Sequence, residues 1–289
     1  MLEIEKYEET ITGSYAEETV RKRIEALESF MEFLHKNKDN YKEYEKFDES
    51  NAFKLINDYL TYLIHEGKSP NTIKLHLDAI LNYCAFMGIK IDPNEKRLLK
   101  MRIPPWSPKI DYLTVDEVKR LLTLTKNLRH RLIYALMYTY ARRLGEVLLL
   151  TMSDVNLEKG TITFQILKKR QPETATFKLD PFVKELLENY IEFEGIERGK
   201  LFDIWPQAIR KGFKKDCEAV GIKPMGRQLR PHMLRHSRIT HLIMQGWKLE
   251  DIAKNIARHS NYQTTYKYYM GLFEKGAMEV PTVSEVLGL

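Results

Sequence analysis

The segment Arg230-Pro231-His232-Met233-Leu234-Arg235-His236 opens the part of this 289-residue chain that decides its fold and chemistry. His232 and Arg235 are three positions apart, so on a helix they share one face. His259 follows 27 residues after His232, and Tyr268 follows nine residues later. A guanidinium binds phosphate oxygens in a bidentate way, an imidazole exchanges protons near neutral pH, and a phenol can act as a nucleophile. The pattern indicates chemistry on an anion, although three ordinary helices with buried histidines and packed tyrosines also fit it.

The distribution of charge points to a polyanionic partner. The net charge is +6, but residues 1–110 carry −2 and residues 111–289 carry +8. Residues 200–238 hold ten basic and three acidic side chains. Such a concentration of positive charge favours nucleic acid as the partner. A solvated, lysine-rich face is the alternative explanation.

Other whole-chain features exclude several classes of protein. The sequence contains no run of ~18 apolar residues of the kind that spans a membrane, and the acidic start MLEIEKYEET lacks the apolar core of a signal peptide. Cys84 and Cys217 are too few and too far apart for a disulfide framework or a metal site. We therefore expect a cytoplasmic protein without membrane contact, metal or cofactor, in which both cysteines are small core residues.

The N-terminal part reads as a small all-helical domain. Apolar residues recur at helical spacing over 15–36 and 51–65, and Ser69-Pro70 opens a third helix that ends at Gly88. A short helix follows at 93–101, and no strand pattern precedes residue 105. We expect residues 1–102 to form this domain. The segment 103–111, IPPWSPKID, holds three prolines and predicts an interdomain linker.

The C-terminal part, residues 112–289, is predicted to be helical with one small β-hairpin. Thr114 and Glu117 form a capping box that opens a helix, and residues 128–141 form a strongly apolar core helix that 142–146 interrupts. Residues 161–167 and 174–179 alternate like strands around a polar turn. Further helices are predicted at 181–193, 206–220, 231–245 and 248–257. The expected class is mainly α with a small hairpin, an α+β fold.

Six motif positions, taken together, resemble the tyrosine recombinase family of Xer-type resolvases, phage-type integrases and Cre-type enzymes. The family has an arginine in a segment like GLRxSEL, a lysine on a β-hairpin, an HxxR box, a histidine in a segment like LGHSS and a tyrosine nine residues later. The similarity covers about residues 112–270, and residues 68–89 are more weakly similar to the family's helical, SAM-like core-binding domain. The catalytic residues that the resemblance implies are Arg143, Lys168, His232, Arg235, His259 and Tyr268.

Several positions depart from the family pattern. Arg142 stands where the family usually has a small or apolar residue, and Arg258 replaces the glycine before the histidine. The hairpin turn lacks the frequent glycines, which leaves Lys169 open as an alternative to Lys168. Three side chains near the motifs fall outside the matching register, and we expect them to be structural: His236, Tyr266 and Tyr269.

The resemblance implies two successive transesterifications on DNA without ATP or a divalent metal. Tyr268 would attack the scissile phosphorus and form a 3′-phosphotyrosyl link, while His232 assists loss of the phenolic proton. The remaining roles are charge stabilisation by both arginines, protonation of the leaving 5′-oxygen by Lys168, and a phosphate hydrogen bond from His259. Glu146 would orient the site.

The implied partner is a specific double-stranded DNA site, held by four protomers on two duplexes, with a monomer as the expected free state. The basic region 200–238 would contact phosphates, and so would Lys68, Lys74 and the run 96–102 in the N-terminal domain. The apolar tail Val280–Leu289 would pack on a neighbouring protomer or on its own domain.

Two other functions compete with recombination: type IB topoisomerase-like nicking and relaxation, and DNA binding without catalysis. The complete set of catalytic positions argues against the second. The biological role is either that of an Xer-like resolvase or that of a mobile-element integrase. The lack of an additional N-terminal arm-binding domain favours the Xer-like type.

Overall fold

The computed structural model describes residues 3–41, 46–105, 110–167, 172–258 and 269. It divides into two compact units, Met1–Ser107 and Pro108–Leu289. The boundary lies inside the proline-rich segment 103–111. Each unit has its own hydrophobic core.

In its described residues the N-terminal unit contains a 3-10 helix at Lys38–Tyr41 and five α-helices: α1 (Ile4–Ile11), α2 (Glu17–Lys36), α3 (Ala52–His65), α4 (Pro70–Phe86) and α5 (Pro93–Met101). Among its described residues it contains no strand. Ser69 caps α4 by accepting a hydrogen bond from the Thr72 amide at 3.2 Å, and Asp92 forms a capping box with Glu95 at α5. The helices predicted in this part of the chain are therefore confirmed.

Helix α1 was not predicted by the sequence pattern. Three of its eight residues are acidic, and only Tyr7 and Ile11 are buried. The Tyr7 ring packs edge-on against Tyr83 of α4, with ring centroids 5.4 Å apart. A helix this short is marginal by itself in water, so tertiary packing stabilises α1 rather than local propensity.

The C-terminal unit is organised around α7 (Leu128–Thr139), whose residues 132–137 are all buried. Three of the helices packed around it are α6 (Val115–Leu124), α9 (Pro181–Glu194) and α11 (His232–Met244). The Thr114–Glu117 capping box opens α6 as predicted. The remaining helices are α8 (Leu144–Leu148), α10 (Pro206–Ala219) and α12 (Leu249–Asp251), and α12 continues into a π-helical turn at Ile252–Ile256.

The sheet has three antiparallel strands in the order β1 (Val155–Asn156), β2 (Thr161–Ile166) and β3 (Glu173–Lys178). The predicted hairpin is β2–β3, in which Phe164 pairs with Ala175. Strand β1 was not predicted because two residues are too few to show alternation. The small sheet and the dominance of helix confirm the expected fold class.

The break after α7 is shorter than the sequence indicated. We expected residues 142–146 to interrupt the helix, but α7 ends at Thr139 and α8 begins at Leu144. Ala141 has a φ of 49°, in the left-handed region. The chain therefore turns sharply over residues 140–143 and places Arg143 at the N-cap of α8.

Candidate active site

Arg235 connects two segments that are far apart in sequence. It lies on α11 and is 1% exposed. Its Nη1 donates a hydrogen bond to the carbonyl of Ala141, and its Nη2 donates to the carbonyl of Ala257 at 2.7 Å. The guanidinium therefore holds the turn before α8 against the chain that leaves the π-helical turn.

Arg143 is fixed by the carboxylate of Glu146. The Arg143 amide donates to Oε2 of Glu146 at 2.9 Å, and Nη1 of Arg143 donates to Oε1 at 2.7 Å. Glu146 is fully buried, whereas the Arg143 side chain keeps 22% of its surface exposed. Glu146 thus orientates Arg143 from the protein interior, while part of the Arg143 side chain remains open to solvent.

The carboxylate of Glu146 compensates only part of the positive charge of the arginines at this site. Burial, followed by the charges of Arg143 and Arg142, lowers the pKa of Arg235 to about 9. Burial also lowers the pKa of Arg142 to about 10, and the nearby Glu146 carboxylate only partly opposes this. These shifts show that the guanidinium groups repel one another, and a bound anion would relieve that repulsion.

His232 begins α11 beside these arginines. Burial is the main cause that lowers its pKa to about 3, and the charges of His236, Arg235 and Arg143 add to the effect. The imidazole is therefore neutral near pH 7. A neutral ring can accept a hydrogen bond or a proton from a substrate or nucleophile.

His236 and Tyr269 form a separate contact next to His232. Nδ1 of His236 and the Tyr269 hydroxyl are 2.8 Å apart, and Tyr269 is 1% exposed in a cluster with Ala141 and Ile239. The rings of His236 and His232 meet edge-on, with centroids 4.7 Å apart. Tyr269 is buried and His236 is half-buried, and their mutual contact supports a structural role for both residues.

The structure thus brings together three of the predicted site residues: Arg143, His232 and Arg235. Lys168 and its alternative Lys169 lie outside the described residues, as do His259, Tyr266 and Tyr268. The described residues lead up to two of these positions, because Leu167 follows β2 and precedes Lys168, and Ala257-Arg258 precede His259.

Arg142 is the residue whose importance sequence reasoning missed. It is fully buried, and it donates hydrogen bonds to the carbonyls of Tyr140, at 2.7 Å, and of Ile256. Its guanidinium carbon lies 5.2 Å from the ring centroid of Phe177. The signal was available in the sequence, since a charged residue occupied a position that the family fills with a small or apolar one.

Neither a metal site nor a membrane span is found in the described part of the chain. Residues 3–41, 46–105, 110–167, 172–258 and 269 contain no group of three or more His, Cys, Asp or Glu side chains that could hold a metal ion. Within the same ranges, every helix is too short or too polar to cross a membrane.

Sequence comparison identifies the class of protein. A profile of the phage integrase family matches residues 111–275. The tyrosine recombinase XerA of Pyrococcus horikoshii is 29% identical over 260 residues, which cover 85% of this chain and 87% of the relative. XerA of Thermococcus kodakarensis is 30% identical over 229 residues, with 73% and 74% coverage.

Solved structures share the fold. The XerH site-specific recombinase, bound to a palindromic difH substrate in a post-cleavage complex, aligns with a TM-score of 0.67 at 19% identity. The alignment covers 89% of this chain and 78% of XerH. The integrase of transposon Tn1549, in complex with transposon right end DNA, aligns with a TM-score of 0.69 at 15% identity, over 96% of this chain and 100% of that one.

The fold, the cationic site and these matches define a DNA strand-transferring enzyme of the tyrosine recombinase class. The chain belongs to the phage integrase family. Its activity is site-specific DNA recombination, and a type IB topoisomerase-like activity is not favoured because the relatives are recombinases.

Proposed function

We propose that the chain recombines a specific duplex DNA site through a 3′-phosphotyrosyl intermediate on Tyr268. The observation that carries the proposal is the convergence of Arg143, Arg235 and neutral His232 in one cationic site. Such a site suits a phosphodiester, whose non-bridging oxygens gain negative charge in the transition state. Donors that are fixed before the reaction stabilise that charge most effectively.

In the first step the Tyr268 oxygen attacks the scissile phosphorus, and the bond from phosphorus to the 5′-oxygen breaks. Neutral His232 accepts the hydrogen bond of the phenol and assists the loss of its proton. Burial is the main cause of its low pKa, and the phosphate offsets the cationic charges that lower that pKa further. Arg143 presents its exposed edge to a non-bridging oxygen. His259 donates a hydrogen bond to the same phosphate.

The leaving 5′-oxygen needs a proton, and Lys168 on the hairpin supplies it as the general acid. In the second step the 5′-hydroxyl of a partner strand attacks the phosphotyrosyl phosphorus and releases Tyr268. The covalent link retains the energy of the phosphodiester, so no ATP is consumed. Charge is compensated by the arginines, and the proposed mechanism requires no divalent metal or cofactor.

Helix α10 offers a surface for the DNA backbone. Four of its basic side chains are exposed to solvent: Arg210, Lys211, Lys214 and Lys215. Contacts between such residues and phosphates release counterions, so affinity should fall steeply with salt. The N-terminal unit, residues 1–102 before the 103–111 linker, would act as a core-binding domain on the same duplex as the catalytic domain, residues 112–289.

Recombination joins two duplexes, so we propose four protomers in the active complex and a monomer as the free state. The tail Val280–Leu289 is the candidate for contact between protomers. An Xer-like role in the cytoplasm is favoured over that of a mobile-element integrase, because the XerA relatives match over most of their length.

Capture of covalent complexes from fragmented genomic DNA tests this function. The enzyme is incubated with the DNA, denatured, and the protein-linked ends are sequenced. We expect ends at one or a few related sequences, and we expect a plasmid with two copies of that site to be resolved into two circles. Relaxation of the plasmid without exchange would instead establish the topoisomerase-like activity.

A further inference from the structure

Two arginines hold neighbouring carbonyls of the same segment. Arg142 donates to the carbonyl of Ile256, and Arg235 donates to that of the next residue, Ala257. Both carbonyls lie where the π-helical turn ends, so they carry the negative end of its peptide dipoles. The chain reaches His259 two residues later.

Arg142 differs from Arg235 in that it is not itself a predicted catalytic residue, so its effect on this segment can be tested separately. Its Nε bonds the Tyr140 carbonyl, which ties the guanidinium to the turn that precedes Arg143. The aromatic rings of Phe164 and Phe177 lie 5.9 and 5.2 Å from its guanidinium carbon and close the side chain off from solvent. This buried side chain therefore connects three segments: the turn at residues 140–143, which we call the arginine turn, the β2–β3 hairpin and the end of the π-helical turn.

Burying a charged guanidinium with an unsatisfied hydrogen-bond donor is unfavourable, so packing alone does not explain Arg142. Its Nη1 has no hydrogen-bond partner among the described residues and lies 3.9 Å from Oε2 of Glu146. Its charge also lowers the pKa of Arg235. An apolar side chain would fill the same space between the two phenylalanines without a buried, partly unsatisfied cation.

The residue after the two carbonyls supports the same conclusion. Arg258 adopts a φ of 50°, and its Nη1 lies 3.6 Å from Oε1 of Glu173, the first residue of β3. The chain thus leaves the π-helical turn through a left-handed residue whose side chain is also tied to the hairpin. The path toward His259 is set at consecutive residues rather than by a single contact.

We propose that Arg142 is a positioning residue, which locks the end of the π-helical turn to the arginine turn and thereby sets the approach of His259 to the phosphate. The proposal rests on the proposed function, because it acts through His259. It assigns a role in catalysis to a fully buried side chain that acts through another residue.

The test compares Arg142→Leu with Arg142→Lys and the matched control Arg120→Leu. Arg120 likewise donates to carbonyls at the end of a helix, those of Val220 and Gly221 after α10. Arg142→Leu should fold with a modestly lower unfolding midpoint, because loss of the buried, partly unsatisfied cation offsets part of the cost of two carbonyls that lose their donor. Its single-turnover cleavage at saturating DNA should fall about 10- to 100-fold at unchanged DNA affinity, as expected for misplaced reacting groups. Arg142→Lys should retain more activity, and Arg120→Leu should cleave like wild type.

Hydrogen exchange of the free protein supplies a readout that does not depend on activity. In Arg142→Leu, the amides of residues 252–258 should exchange about tenfold faster or more, because one charge-assisted hydrogen bond is lost, while α7 is unchanged. Unaltered exchange there, or cleavage equal to wild type, overturns the proposal. If wild type forms no covalent complex with any DNA, the proposed function fails. The exchange result still shows whether Arg142 holds the end of the π-helical turn.

Discussion

Glu146 accepts two hydrogen bonds from Arg143, one from its main-chain amide and one from its guanidinium, at 2.9 and 2.7 Å. The same carboxylate caps α8 and orientates the side chain at the helix start. Because Glu146 is fully buried, its geometry does not depend on solvent. Arg143 is therefore in position before any DNA binds.

Replacing Glu146 with Gln should impair both folding and cleavage. The amide keeps one acceptor but loses the negative charge beside two guanidinium groups. We expect the free energy of unfolding to fall by about 1–3 kcal/mol. Cleavage should fall up to about 100-fold because Arg143 is no longer held in one orientation. Urea unfolding and single-turnover cleavage on a nicked substrate measure the two effects.

Glu117→Gln is the matched control for that variant. Glu117 also closes a capping box and binds an arginine, Arg227, at 2.6 Å, but it does so at α6. Its replacement should reduce stability by a similar amount and leave the cleavage rate of the folded fraction unchanged. Equal losses of cleavage in both variants would show that Glu146 acts only through stability.

Replacing Arg235 with Lys should distinguish the role of Arg235 from that of Arg143. A lysine cannot reach the carbonyls of Ala141 and Ala257 together, so one of these buried acceptors loses its donor. We expect a loss of about 1–3 kcal/mol in unfolding free energy, and cleavage about 10²–10³-fold slower through loss of the fork. Arg143→Lys should slow cleavage similarly with a smaller loss of stability, since that side chain is partly exposed. The reverse order of stabilities would contradict the structure.

The pKa of His232 predicts how stability depends on pH. In the folded chain this pKa is about 3, whereas an unfolded histidine titrates near 6.5. Between these values the unfolded state binds a proton that the folded state does not. Stability should therefore fall as the pH drops through this window, by up to about 1.4 kcal/mol per pH unit.

Urea unfolding at a series of pH values, with wild type and His232→Gln, measures this effect. The variant should lose stability less steeply below pH 6.5 than wild type. His236, whose pKa is lowered to about 4 mainly by burial, keeps its own contribution in both proteins. Parallel curves would show that His232 titrates normally in the folded chain.

The identity of the general acid can be read from a substrate with a better leaving group. A 5′-phosphorothiolate needs no proton on the departing sulfur, so it should rescue Lys168→Ala. Arg143→Ala should not be rescued, because the phosphorane charge still lacks its donor. Rescue of Lys169→Ala, with Lys168→Ala active on ordinary DNA, would reverse the assignment.

Local rules predicted much of the fold. Ser69 and Thr114 are helix caps whose partners lie within three residues, so short-range sequence patterns were enough to locate them. Strand β1 and helix α1 depend on distant partners instead. Strand β1 exists because β2 supplies its hydrogen bonds, and α1 because Tyr83 covers Tyr7.

The candidate site also combines features that could be predicted from the sequence with features that could not. The resemblance to the family implied that Arg143, His232 and Arg235 share one site. It could not predict the partners that orientate them, because the carbonyls of Ala141 and Ala257 belong to the main chain and have no signature in the sequence. The sequence marked Arg142 as unusual for its position, but its contacts could not be predicted, since both of its acceptors are carbonyl oxygens.

The central claim is that Tyr268 becomes linked to DNA, and peptide mapping tests it most directly. The enzyme is trapped on a nicked site, digested with protease and nuclease, and the adducted peptide is sequenced by mass spectrometry, with Tyr268→Phe and Tyr269→Phe in parallel. The account predicts a nucleotide on Tyr268, no adduct in Tyr268→Phe and a retained adduct in Tyr269→Phe. An adduct on Tyr266 or Tyr269, or a covalent complex formed by Tyr268→Phe, would contradict it.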